Sequence, residues 1–375
     1  MLIGLDIRSV YSPDSFYRGI GEYGRNLLRH LLSQDELHEY ILFSNKAFLP
    51  SDLDLSARAG ILHLKRMRRL LWVQDQIFLP LEILFKKIDL FHSLNLNLPV
   101  FKTTKTIASV PDVIPLIYPR QYLVTKSVKL WYGLQLKFLH QADRIIVNSH
   151  YTKQDLVRLA GIPEGKVKVI YYGLNPVYRS AADMNHWPQL QDKFNIRKKY
   201  ILYVGGFDRR KNIPFLISVF KTVKENMDIS LVLAGADGSQ GNYLLRLAQE
   251  CGLAGDVIFT GFIDLKDLRM LYGNAEVFAF PSLYEGFGLP LIEAMASGCP
   301  LVAIDSSATP EITQDAALLV EAGNKEVFAR SLIRVIQDKD LRASLVDKGL
   351  RRAEDFSWGR AVEETIATYR EVLNE

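Results

Sequence analysis

The stretch FAFPSLYEGFGLPLIEAMASGCP, residues 278–300, decides the fold. It opens at the end of an apolar run, 276–280, that reads as a buried parallel strand. A loop with glycines at 286 and 288 follows, then Pro290 and the helical pattern LIEAMAS, closed by Gly298 and Pro300. Proline just inside a helix start and glycine just past its end is the expected asymmetry. Strand, glycine loop and helix N-terminus therefore come in one piece. Such a junction turns the amides of Phe287, Gly288 and Leu289, with Gly286 before them, towards a spot where an anion is favoured.

Glu285 precedes that loop and Glu293 lies a helical turn inside. Neither suits a phosphate directly, but carboxylates accept hydrogen bonds from sugar hydroxyls in pairs. An anion seat between two such carboxylates describes a nucleotide-sugar. The residues alone fit equally a solvated loop charge at 285 and a first-turn glutamate favoured by the helix dipole at 293.

Working outward, the chain alternates short apolar runs with amphipathic helical stretches. Runs at 2–7, 40–44, 61–65, 89–93, 106–110, 144–149 and 166–170 come first. The polar segment 171–199 then loses the pattern, and it carries Pro176 and Pro188. Six more runs follow at 200–206, 229–235, 256–261, 276–281, 300–305 and 316–320. Strands alternating with helices imply parallel βαβ units. The expected fold is α/β, two doubly wound parallel-sheet domains facing across a cleft, with ligands at the carboxyl ends of the strands. The domain limits predicted are 1–178, a linker at 179–198, a second domain at 199–355, and a terminal helix from 356 to 375.

Here the sequence resembles a known family. EGFGLPLIEAMASGCPLVA (285–303) is similar to the E-x7-E signature of the retaining family-4 glycosyltransferases, which have the GT-B fold. The resemblance implies that Glu285 faces the transferred sugar and Glu293 holds the ribose of the donor. In this family the last helix crosses back to the first domain, as the tail 356–375 would. YVGGFDRRKNIPFLI (203–217) matches as well, so Arg210 and Lys211 are carried over as groups that stabilise the leaving diphosphate. Many members have arginine where this chain has Gly206, which leaves Arg210 or Arg209 to cover that role. In RGIGEYGRNLL (18–28), Gly19 takes the place of a glycine that approaches the distal phosphate. In VIFTGFIDLKDLRMLYGNAEVF (257–278), Phe262 stands where the base is met, or else is a core aromatic.

A larger departure lies in SVPDVIPLIYPRQY (109–122). The family commonly reads H-D-x-x-P there, but Pro111 replaces the histidine while Asp112 and Pro115 remain. Asp112 is carried over into the catalytic set, and His92 is the best substitute for the absent imidazole. A lone histidine such as His92 is, however, more often structural.

The resemblance further implies hexose transfer with retention, no cofactor and no metal. RGIGEYGRNLL, DVIPLIYP and RRKN are most similar to bacterial mannosyltransferases of polysaccharide and O-antigen assembly. GDP-mannose is the first-choice donor and UDP-hexoses come next, with a glycan or lipid-linked saccharide as acceptor. Pro111 and Gly206 keep open a catalytically weak nucleotide-sugar-binding protein, and a sugar-nucleotide epimerase of the same fold is a further rival.

Bulk properties agree with this picture. The 375 residues, 48% of them apolar and 23% charged, suffice for two cores. Cys251 and Cys299 lack metal or redox spacing, and no signal peptide or membrane span is suggested, so a cytoplasmic setting is expected. Asp52 and Asp54 form a D-x-D string without a strand before it. Residues 1–179 hold 24 Lys and Arg against 15 Asp and Glu, a net +9, whereas the remainder nets −5. A basic first half suits an anionic partner, and LKRMRRLLW (64–72) reads either as an interfacial helix on anionic lipid or as a solvated face. Peripheral contact with the inner face of the plasma membrane follows from the first of these; nucleic acid has no motif behind it.

Overall fold

A computed structural model describes residues 1–11, 19–45, 59–64, 74–180, 185–235 and 240–375. The chain divides into two units, Met1–Gly173 together with Ser357–Glu375, and Leu174–Phe356.

In the first unit the strands are β1 (Leu2–Asp6), β2 (Glu39–Ser44), β3 (Ala59–His63), β4 (Leu90–Ser93), β5 (Lys105–Val110), β6 (Arg144–Val147) and β7 (Val167–Val169). They pair in parallel in the order β3-β2-β1-β4-β5-β6-β7. β4 is buried along its whole length, as a strand covered on both faces must be. Phe43, Phe91, Val110, Leu139, Ile145 and Leu156 form the core beneath it. The terminal helix Trp358–Asn374 packs on the helix Gly19–Gln34 in this same unit, and Lys168 Nζ meets Glu371 Oε1 at 2.7 Å.

The second unit repeats the scheme with β8 (Tyr200–Val204), β9 (Ser230–Ala234), β10 (Val257–Gly261), β11 (Val277–Phe280), β12 (Leu301–Ile304) and β13 (Ala317–Val320). Their order is β10-β9-β8-β11-β12-β13, again all parallel. Each sheet winds outward in both directions from one place, β1 beside β4 and β8 beside β11. At such a switch point the loops leaving two neighbouring strands diverge and open a crevice at their carboxyl ends.

One expectation needs correcting. The segment 179–198 is not a linker, because it contains the helix Trp187–Phe194 and belongs to the second unit. Leu190 is buried, Trp187 stacks on Tyr200 at 6.2 Å, and Lys193 Nζ reaches Asp267 Oδ2 at 2.8 Å. Pro188 stands in the first turn, where its missing N–H has no helical partner to lose. Asn195 ends the helix in the left-handed conformation, φ 54°. Proline thus marks a start here, not a break.

Among the described residues no helix is long and apolar enough to cross a membrane. The D-x-D string at 52–54, the basic run from residue 65 to 72 and the tail of LAGADG from 236 lie outside the described residues.

Candidate active site

The site forms on the two loops at the β8/β11 switch point. After β8, one tight turn, Arg209–Lys211, ends at Asn212 with φ 59°. Asparagine tolerates that left-handed geometry better than most residues, and the helix Ile213–Lys224 starts from it. Arg210 and Lys211 therefore stand immediately before a helix N-terminus. The Leu283 N–H donates to the Arg210 carbonyl at 2.8 Å, so the main chains of the two loops are joined directly.

Beyond that joint, Glu285 turns inward. Lys211 Nζ donates to Glu285 Oε1 at 2.6 Å, and Arg210 Nη1 donates to Glu285 Oε2 at 2.7 Å and to the Tyr284 carbonyl at 2.9 Å. Arg210 Nε lies 3.2 Å from Asp208 Oδ1, and the Lys211 ammonium sits over the Phe280 ring. Side-chain exposure is 8% for Glu285, 9% for Lys211 and 14% for Arg210. Burial opposes the charge on Glu285, but the adjacent Lys211 and Arg210 outweigh it and hold the carboxyl at about 2. Burial pushes the Lys211 ammonium down, with Glu285 acting against that shift.

This departs from the expected division of labour, in which cations grip a diphosphate while the glutamate waits for sugar hydroxyls. The structure makes one charge-assisted cluster of the three side chains. A carboxylate accepts at about four positions, so both bonds leave it capacity for hydroxyl donors.

Gly288 starts the helix Leu289–Ala296 at φ 99°, and a Cβ there would stand 2.8 Å from Leu291 Cδ1. Only glycine fits, and Gly286, Phe287 and Gly288 are buried while Leu289 is half-buried. The Phe287 ring packs edge-on against Phe356 at 5.7 Å, so this residue offers the site its main chain and not its side chain. Glu293, 5% exposed on the same helix, accepts a hydrogen bond from the Tyr272 hydroxyl at 2.9 Å.

The other candidates stand outside this hydrogen-bonded cluster. Gly206 is exposed, and a Cβ there would meet nothing closer than Asp208 Oδ2 at 3.8 Å, so a side chain has room. Phe262 follows β10 with 61% exposure, which removes the core-aromatic reading. Gly19, at an exposed helix start, and Asp112 belong to the first unit. Asp112 Oδ1 accepts from the Ile114 N–H at 3.0 Å, a local turn bond that fixes the side chain.

His92 is no substitute for the absent imidazole. It is wholly buried in the first unit, with Nδ1 2.7 Å from the Tyr369 hydroxyl and Nε2 2.9 Å from Ser109 Oγ, itself 2.8 Å from the Tyr23 hydroxyl. Burial pushes its pKa down to about 3, so the ring stays neutral in this network. Replacing His92 with glutamine is expected to lower stability by about 1–3 kcal/mol through lost buried hydrogen bonds. Transfer by the folded fraction should keep its pH profile between about pH 5 and 9, since no titration of this ring falls there. Denaturant melts and pH–rate curves check both.

Sequence reasoning missed Ser307. Its Oγ accepts the Glu285 N–H at 2.8 Å, and the Ser306 hydroxyl donates to the Ser282 carbonyl at 2.9 Å. Ser307 holds φ 50°, a costly conformation for a residue other than glycine. The available signal was position, because this loop leaves β12, the neighbour of β11.

Two doubly wound parallel sheets, the second with a paired glutamate at its switch point, have the GT-B architecture of glycosyltransferases. Residues 17–178 match the family Glycosyltransferase Family 4 and residues 188–352 match Glycosyl transferases group 1. The chain belongs to this glycosyltransferase family. The O-antigen chain mannosyltransferase B of Escherichia coli is 26% identical over 366 residues, spanning 94% of this chain and 96% of that one. The serotype-specific mannosyltransferase WbdA of Escherichia coli is 28% identical over 275 residues, spanning 72% of this chain but 34% of that longer protein. Among solved structures, sucrose-phosphate synthase from Thermosynechococcus elongatus superposes with a TM-score of 0.78 at 22% identity, covering 100% of this chain and 99% of the other.

Proposed function

We propose that this glycosyltransferase moves a hexose, mannose from GDP-mannose in the first instance, onto a glycan or lipid-linked saccharide in polysaccharide or O-antigen assembly. The reaction retains the anomeric configuration and uses no metal. The observation that carries this reading is the Arg210–Glu285–Lys211 cluster beside a helix N-terminus at the switch point. The mannosyltransferase names of the two Escherichia coli relatives support the sugar.

In this scheme the two cations and the first-turn amides stabilise charge gathering on the departing diphosphate, the task a metal serves elsewhere. A carboxyl held at about 2 is ionised at any working pH, so Glu285 cannot act as a general acid. It accepts hydrogen bonds from the sugar and keeps both cations aimed. Glu293 accepts from the ribose, and Phe262 meets the base. In the front-side course, the departing phosphate oxygen takes the proton of the incoming hydroxyl as the new glycosidic bond forms on the same face. UDP-hexoses are the alternative donors.

A thermal-shift series over GDP-mannose, UDP-glucose and UDP-galactose tests the donor. A ligand at about 100 times its Kd adds about 2.7 kcal/mol, so GDP-mannose should raise the Tm by several degrees. NMR of the product should show the anomeric configuration of the donor. An inverted product, or no shift with any nucleotide-sugar, would overturn the reading.

A further inference from the structure

We propose that Tyr272 is a positioning residue for the nucleotide, its phenol fixing the Glu293 carboxylate in the orientation that accepts ribose hydroxyls. This rests on the reading of Glu293 given above and extends it to a residue that touches no substrate.

Tyr272 lies near the end of the helix Leu265–Asn274 and is fully buried. Its ring is clamped by Phe278 of β11, centroids 5.4 Å apart, and by Tyr178 at 5.9 Å, both in edge-on geometry. With the ring held from two elements, the hydroxyl oxygen has a fixed place, 2.9 Å from Glu293 Oε2, to which it donates. The glutamate, by contrast, has three side-chain torsions, the last of them broad. Helix geometry alone cannot set its carboxylate plane; a rigid donor can. Phenylalanine would fill the same space, so packing alone does not account for the hydroxyl. The phenol uses one of about four acceptor positions on the carboxylate.

The test titrates wild type, Tyr272→Phe and Glu293→Gln with GDP, UDP and their 2′,3′-dideoxy forms by calorimetry. Wild type should prefer the ribonucleotide of its base. Tyr272→Phe should cut that preference about tenfold, through weaker ribonucleotide binding, with dideoxynucleotide affinity unchanged. A structural role alone would weaken both forms alike or neither, and either result overturns the proposal. If Glu293→Gln removes the preference while Tyr272→Phe keeps it, Glu293 stands and only the positioning role falls. If Glu293→Gln leaves the preference intact, the ribose reading falls and takes the proposal with it. Should wild type bind neither ribonucleotide, the nucleotide reading itself is overturned.

Discussion

Glu285→Ala is expected to abolish transfer, by about a thousandfold or more, and to unfold about 10 °C earlier than wild type. The first effect follows from removing the acceptor that aims both Arg210 and Lys211. The second follows from leaving two largely buried cations without the carboxylate that compensates their burial. Stripping one partner from a buried pair costs about 3–5 kcal/mol. The pH dependence has a definite sign. Glu285 titrates at about 2 in the fold against an ordinary value of 4.5, so its stabilisation is complete above about pH 4.5 and is lost as pH falls towards 2. The Tm gap between wild type and Glu285→Gln should therefore narrow on acidification through that window. Activity within about tenfold of wild type for Glu285→Ala would exclude the central role given to this residue.

Lys211→Met should cost about a hundredfold to a thousandfold in kcat, the usual effect of losing one preorganised donor to a developing negative charge. Methionine keeps much of the buried stem, so the fold should survive better than in Glu285→Ala. Arg210→Lys, which keeps the charge but not the planar fork, should lose activity as well, because Arg210 spans Glu285 and the Tyr284 carbonyl at once. Single-turnover rates with saturating donor separate these outcomes from a mere rise in KM. A change confined to KM would assign the cations to donor binding alone and overturn their part in bond breaking.

Much of the fold was legible because parallel strands buried on both faces leave continuous apolar runs, and runs such as 144–149 and 300–305 need no partner sequence to be recognised. Pro188 misled for a local reason: the same residue that breaks a helix interior also opens a helix. Burial was the second blind spot. Nothing near His92 in the chain announces Tyr369, 277 residues away, yet that hydroxyl and Ser109 decide its character. Glu285 and Lys211, 74 residues apart, were each named as candidates through resemblance, but nothing in the sequence points to their bond to one another. Spacing along one segment reports which groups share a helix face or a loop. It says nothing of two loops brought side by side by strand order.

The main-chain bond from Leu283 to the Arg210 carbonyl has a consequence for how this enzyme can diversify. Because any residue but proline supplies the N–H and any residue supplies the carbonyl, this seam does not depend on which side chains stand at 283 and 210. The two loops that carry Arg210, Lys211 and Glu285 are thereby kept side by side by main chain alone, so their spacing is insulated from sequence drift around them.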